Sequence, residues 1–264
     1  MPTAEVVRFE GKGRMLEGYL ALPEGGGRRP ALIVVHEIWG LDDHIRDVAR
    51  RFAAEGFVAL APNLYTGEMA AKMEPRCIEA GMMVLRSAPP EVQRDPSRLL
   101  ATLADRPAAE REALATLIEV LQPETRAAFA EDLLGALAFL KSRPDVDPDR
   151  IACLGFCMGG GIGARLATLA PDLWKAVIFY GENPPLDRVG EIRAEVLGIY
   201  GSEDPRITEH VPEFAEAMAR AGKRFTYHVY EGAKHAFFND TRPMYHPEAA
   251  RDAWEKTLQF LRSG

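Results

Sequence analysis

The 264-residue sequence is poor in cysteine, with only Cys77, Cys153 and Cys157. An odd, low number builds no disulfide frame and points to free thiols in a reducing compartment, so a cytoplasmic location is expected. Cys153 and Cys157 lack a second ligand pair, so no metal site is expected. No apolar run is long enough to span a bilayer. No positively charged start leads into an apolar stretch, so no secretion signal is expected. No basic stripe is present either. The 32 Lys and Arg residues are scattered and outnumbered by 39 acids, giving a net charge of −7. That balance argues against a nucleic-acid partner, and no membrane partner is expected. Internal repeats and low-complexity tracts are also missing. What remains is a globular composition, 47% apolar and 27% charged, sufficient for a sizeable core.

Taken in order, the chain alternates strands and helices. Residues 6–9 and 16–21 read as short strands, and 31–35 as a continuous apolar strand buried on both faces. Asp42 or Asp43 can cap a helix whose buried stripe is Ile45, Val48, Ala49 and Phe52. Residues 57–61 form the next strand. Strand, helix, strand in this order argues for a mostly parallel sheet flanked by helices. A stretch of about 66–123 interrupts the rhythm. It reads as short helices broken at Pro75, Pro89-Pro90, Pro107 and Pro123, too polar for a core layer. A lid, a surface elaboration and a dimer contact all suit such an insertion. Phe129, Leu133, Leu137 and Leu140 then form a helical stripe. Further strands are expected at 151–154, 176–180, 196–200 and 225–230, with helices at 158–169, around Val211, Phe214 and Met218, and from Pro247 onward. The expectation is a single α/β domain over residues 1–264 with one helical insertion.

Within that pattern, Gly155-Phe156-Cys157-Met158-Gly159 joins a strand to a helix. This is the sharp elbow that presents a nucleophile at the carboxyl end of a sheet, with cysteine in the usual place of serine. The positive end of the helix dipole favours a thiolate there. Taken alone, the stretch also suits a small buried cysteine or a phosphate-binding turn. A thiol nucleophile needs a base, and the base an orienting acid. Two later strand ends offer them: Asp204 after residues 196–200, and His235 after 225–230. Nucleophile, acid, histidine is the chain order of the α/β-hydrolases. Asp204 could instead only cap the next helix, and Glu203 is an adjacent rival. His36, His44, His210, His228 and His246 lie off the required loop. The amides of Ile38 and Met158 are the expected oxyanion donors. Glu37, beside them, either holds the thiol neutral, deprotonates it on substrate binding, or forms a surface salt bridge; of these the salt bridge is the reading preferred on sequence alone.

The pieces His36-Glu37-Ile38-Trp39-Gly40-Leu41, Ala61-Pro62-Asn63-Leu64-Tyr65, Gly155-Phe156-Cys157-Met158-Gly159-Gly160, Gly201-Ser202-Glu203-Asp204 and Gly232-Ala233-Lys234-His235-Ala236-Phe237 together resemble the dienelactone hydrolase (carboxymethylenebutenolidase) family. The resemblance implies an α/β-hydrolase fold, a Cys157–His235–Asp204 triad and activation of Cys157 by Glu37. It also implies oxyanion binding by the Ile38 and Met158 amides, with no metal and no organic cofactor. The family's archetype opens an enol-lactone and holds its carboxylate with arginines. One of those stands four residues after the histidine, where this chain has Asn239. Arg242 or Arg206 could substitute, while Trp39, Phe237 and Phe238 would suit a more apolar ester or lactone.

The expected activity is therefore hydrolysis of a small ester or lactone through a thioester on Cys157. Alternatives are a relative acting on thioesters or phosphate triesters, and a redox or ligand-sensing thiol protein without turnover. A homodimer is left open.

Overall fold

The computed structural model describes residues 2–89, 92, 96–101 and 107–263. Its frame is an eight-stranded sheet in the order β1-β2-β4-β3-β5-β6-β7-β8. The strands are β1 (Thr3–Glu10), β2 (Met15–Leu22), β3 (Arg29–Val35), β4 (Val58–Pro62), β5 (Val146–Phe156), β6 (Lys175–Phe179), β7 (Glu195–Gly201) and β8 (Phe225–Tyr230). β1 and β2 run antiparallel to their neighbours, and β3 to β8 are mutually parallel. The central strands have no polar face because both faces are covered: β3, β4 and β6 are buried nearly end to end.

Alternation sorts the side chains of each strand between two cores. On β5, Ile151 and Cys153 join one, while Ala152, Leu154 and Phe156 join the other. The first core is roofed by α6 (Pro123–Ser142), α7 (Met158–Leu169) and α9 (Val211–Arg220). The second is roofed by α1 (Asp43–Ala54) and α10 (Pro247–Arg262). Asp42 is the residue that caps α1, its Oδ1 accepting from the Ile45 amide at 3.0 Å.

Among the described residues, the stretch between β4 and α6 holds α2 (Glu68–Lys72), α3 (Pro75–Ser87), α4 (Pro96–Ala101) and α5 (Ala108–Leu121). The prolines expected as breaks act mostly as starts. Pro75 and Pro123 open α3 and α6, and Pro107 precedes α5; Pro90 lies outside the described residues. The expectation that this stretch is too polar for a core is corrected. Ile78, Val84, Leu99, Leu114, Leu117 and Val120 are buried and belong to the first core. Their three- and four-residue spacing within a polar sequence gives each helix one narrow apolar stripe.

Candidate active site

Cys157 stands between the end of β5 and the start of α7, with φ 53° and ψ −118°. A side-chain-bearing residue is costly there, roughly 1–3 kcal/mol. The neighbours make the turn feasible. A Cβ on Gly155 would fall 2.0 Å from the Gly159 carbonyl oxygen, and one on Gly159 would fall 2.4 Å from that of His36. Glycine is therefore obligatory at both places. Among the described residues, the only other non-glycine residues with positive φ are Tyr180 (39°) and Ala236 (63°). Ala236 follows His235, and the Tyr180 ring lies 5.2 Å from the His235 ring. Backbone strain thus gathers around one imidazole.

His235 Nε2 is 3.0 Å from Cys157 Sγ, and its Nδ1 is 2.5 Å from Asp204 Oδ2. Asp204 does precede the short helix α8 (Pro205–Thr208), yet its side chain caps nothing and turns to the imidazole. The rival Glu203 is exposed and 3.9 Å from Lys234. The loops that carry the acid and the histidine are stitched together: Glu203 N donates to Ala233 O at 2.9 Å, and Gly232 N to Ser202 Oγ at 2.9 Å. Burial alone would lower the His235 imidazolium. The Cys157 thiolate and the Asp204 carboxylate outweigh it and raise the pKa to about 10.

Met158 is the first residue of α7, where an amide has no intrahelical acceptor. Ile38 is buried in the turn after β3, closed by Gly40 N donating to Glu37 O. The phenol of Tyr65 ties the two positions together. It donates to Ile38 O at 2.9 Å and lies 3.9 Å from Met158 Sδ. His36 anchors the same turn from behind. Its Nδ1–H donates to Glu37 O at 2.6 Å, and its Nε2 accepts the Leu64 amide at 3.2 Å. Burial lowers its pKa to about 4, against the pull of the Glu37 carbonyl, so it is neutral.

Glu37 corrects the sequence expectation of a surface salt bridge: it is 2% exposed, and among the described residues no arginine pairs with it. Its Oε2 accepts from Asn239 Nδ2 at 2.6 Å. The amide cannot turn round, because Asn239 Oδ1 already accepts both the Thr241 amide and its hydroxyl. Oε1 of Glu37 and the hydroxyl of Tyr180 are buried with no well-formed hydrogen bond. The two groups nevertheless feel each other: burial first, then the Glu37 charge, raises the Tyr180 phenol well above its ordinary value. Burial likewise pushes the Glu37 carboxyl up, opposed by His44, the Asn239 amide and His235.

The substrate-binding candidates divide. Trp39 is half-buried under the Arg242 guanidinium, which lies 3.9 Å from the ring centroid. Arg206 is exposed and 3.7 Å from Glu182, along a groove of about 430 Å³. Phe237 and Phe238 are corrected: both are in the second core, packed on Tyr180 and on Phe156 and Phe179. The loop folds inward after the histidine, and their apolar rings go with it. Asn239 is fully buried and occupied by Glu37. Tyr65 and Tyr180 are absent from the sequence candidates; each is an aromatic residue at or just past the carboxyl end of a parallel strand, and Tyr65 also ends one of the pieces that carry the family resemblance. Among the described residues, no cluster of three potential metal ligands exists and no helix is long and apolar enough to cross a membrane.

A sequence model of the dienelactone hydrolase family matches residues 16–264. A protein of Saccharolobus solfataricus, provisionally named a carboxymethylenebutenolidase, is 38% identical over 96% of both chains. One from Escherichia coli K12 with the same provisional name is 32% identical over 95% of this chain and 83% of its own. A crystal structure described provisionally as a dienelactone hydrolase, from Klebsiella pneumoniae, covers all of both chains with 28% identity and a TM-score of 0.77. A dienelactone hydrolase-like promiscuous phosphotriesterase from metagenomic libraries shares the fold, with 23% identity, a TM-score of 0.71 and coverage of 98% and 97%. With likeness of this degree running from the second strand to the end of the chain, the protein belongs to the dienelactone hydrolase family of ester hydrolases.

Proposed function

We propose that the chain is a cysteine-dependent hydrolase of small carboxylic esters or lactones. The observation that supports this best is the line Asp204–His235–Cys157, with contacts of 2.5 and 3.0 Å. Cys157 Sγ attacks the carbonyl carbon, and the π electrons move to the oxygen. The Ile38 and Met158 amides receive that oxyanion. Collapse breaks the bond to the leaving oxygen, which takes the proton from His235 Nε2. Water then attacks the thioester and gives its proton to His235. The carbon–sulfur bond breaks, and the thiolate returns to its place beside the imidazolium. Asp204 holds the Nδ1–H tautomer throughout. Helices α2–α5 are read as an insertion on a single domain.

The position that would carry a cationic clamp is taken by Asn239, which is committed to Glu37. The substrate class is therefore an ester or lactone without a carboxylate at that place. Arg242, stacked on Trp39, is the nearest candidate for any anionic substituent. The test is turnover of an activated aryl ester by the parent and by Cys157→Ala. Loss of turnover with an unchanged circular dichroism spectrum supports the reading; unchanged turnover ends it. Comparing the dienelactone with uncharged esters of similar size, in the parent and in Asn239→Arg and Arg242→Gln, then defines the preference for charge.

A further inference from the structure

Arg14 lies in the tight turn between β1 and β2, just ahead of the stretch that the family model matches. Gly11 N donates to Arg14 O at 2.8 Å and closes the turn. The guanidinium reaches across to α6, where Nε and Nη2 both donate to Asp132 Oδ2, the first at 2.9 Å. Asp132 is buried, and its Oδ1 accepts the Lys12 amide at 3.0 Å. One carboxylate thus fixes both the turn and the arginine it carries. The donors left on the fork meet the loop after β4. Nη1 donates to Thr66 Oγ1 at 3.0 Å, and Nη2 to Leu64 O at 3.2 Å. Those two residues flank Tyr65, whose phenol holds Ile38 O. The guanidinium also lies 5.6 Å from the centre of the Phe129 ring, itself 6.2 Å from that of Tyr65. On the other side, Leu64 N donates to His36 Nε2, and the His36 and Tyr65 rings are 4.9 Å apart.

We propose that Arg14 is a positioning residue for the oxyanion pocket: anchored on Asp132, it fixes the chain on both sides of Tyr65, and Tyr65 fixes the turn that offers the Ile38 amide. The inference rests on the proposed catalytic reading and deepens it. A phenol can hold a carbonyl in place only as firmly as its own backbone is held. Residues 63–66 belong to no helix or strand, so side chains must supply the hold that a ladder gives elsewhere. Three do so. Asn63 Oδ1 accepts the Tyr65 amide at 3.1 Å, His36 takes the Leu64 amide, and Arg14 takes the Leu64 carbonyl. Of the three, Arg14 alone also reaches Thr66, where the chain leaves for the insertion. The planar fork is what allows one side chain to meet Asp132, Leu64 and Thr66 together; the single nitrogen of a lysine cannot span them.

The test uses Arg14→Lys, which keeps a charge beside Asp132, and the paired variant Arg14→Met/Asp132→Asn, which strands no charge and decides the matter if the first does not fold. An activated aryl ester reports turnover. Trifluoroacetophenone reports the oxyanion: Cys157 Sγ bonds to its carbonyl carbon, the π electrons move to the oxygen, and nothing leaves. Methyl methanethiosulfonate, in a Cys77→Ser background, reports the thiolate without forming an oxyanion. Losing one oxyanion donor outright costs about 10²–10³ in kcat. A displaced donor is expected to cost about 10-fold, with KM changing by less than about twofold. The Ki of the ketone rises by the same factor, while the thiosulfonate rate stays at the parent's. In a Tyr65→Phe background the Arg14 substitution adds little further, because both act through one contact. Unchanged kcat and Ki with reduced thermal stability overturn the proposal. So does a loss that multiplies in full with Tyr65→Phe, or one that falls equally on the thiosulfonate rate. Failure of the catalytic reading looks different: the parent itself then neither turns over the ester through Cys157 nor is inhibited by the ketone.

Discussion

Replacing Asp204 with asparagine separates the charge of the acid from its shape. Asp204 is 6% exposed, and its Oδ2 lies 2.5 Å from His235 Nδ1. An opposite charge this close shifts a neighbouring group by roughly 1–3 pKa units, or about 1.4–4 kcal/mol. An asparagine oxygen can still accept from Nδ1–H, but it returns none of that electrostatic stabilisation to the imidazolium. On the proposed triad, the state with a Cys157 thiolate beside a His235 imidazolium is expected to be about 10- to 1000-fold less populated at neutral pH in the variant, with turnover falling by about 10³–10⁴. The direct assay is the rate of iodoacetamide alkylation against pH in a Cys77→Ser background. Cys153 adds no signal there, because burial pushes its thiol up to about 12. Ester hydrolysis is followed in parallel. If the alkylation profile of Asp204→Asn superimposes on that of the parent, the ion pair does not depend on this carboxylate and the triad reasoning fails.

Tyr65→Phe removes the hydroxyl that braces Ile38 and leaves a buried carbonyl unpaired, at a cost of about 1–3 kcal/mol; kcat should fall more than KM changes, as steady-state kinetics would show. Cys157→Gly should abolish turnover yet raise the unfolding free energy in urea by about 1 kcal/mol, because φ 53° no longer strains the chain; a drop in stability would refute stored strain at the elbow. The folded-state pKa of His36 is depressed from 6.5 to about 4. Its contribution to stability is thus complete above pH 6.5 and is lost as the pH falls toward and through 4, by about 3 kcal/mol. Urea midpoints across that window should lose this acid limb in His36→Gln. Gly159→Ala forces a Cβ to 2.4 Å from the His36 carbonyl and should yield little folded protein, whereas Gly190→Ala, with open space around it, should express normally.

The chain order of Cys157, Asp204 and His235 is legible because topology alone sends residues at parallel strand ends to one edge. The same logic fails for Glu37. Whether a carboxylate after β3 is buried depends on Asn239 and Thr241, some two hundred residues away, and no local pattern records that. Phe237 and Phe238 mislead for a related reason. A loop rich in aromatics suggests a binding surface, but the reversal at Ala236 turns both rings inward. Asp204 shows the opposite case. Its helix-capping role is fully plausible from sequence, and only the direction of its side chain decides against it. The stripes of α3 and α5 were hidden by charged neighbours, since a narrow apolar line on a polar helix barely alters composition.

The histidine is delivered by β8, the outermost strand of the parallel half, paired on one side only and half open to water. Its neighbour β7, which carries the acid, and β6 beyond it, which pairs with the nucleophile's strand, are enclosed. Peripheral ribbons of this kind unzip at lower free energy than the interior. Warming or mild urea should therefore silence catalysis through detachment of that margin while most amide protons remain protected. Enzymatic rate then becomes a local thermometer of the rim, reporting partial opening long before the molecule as a whole gives way.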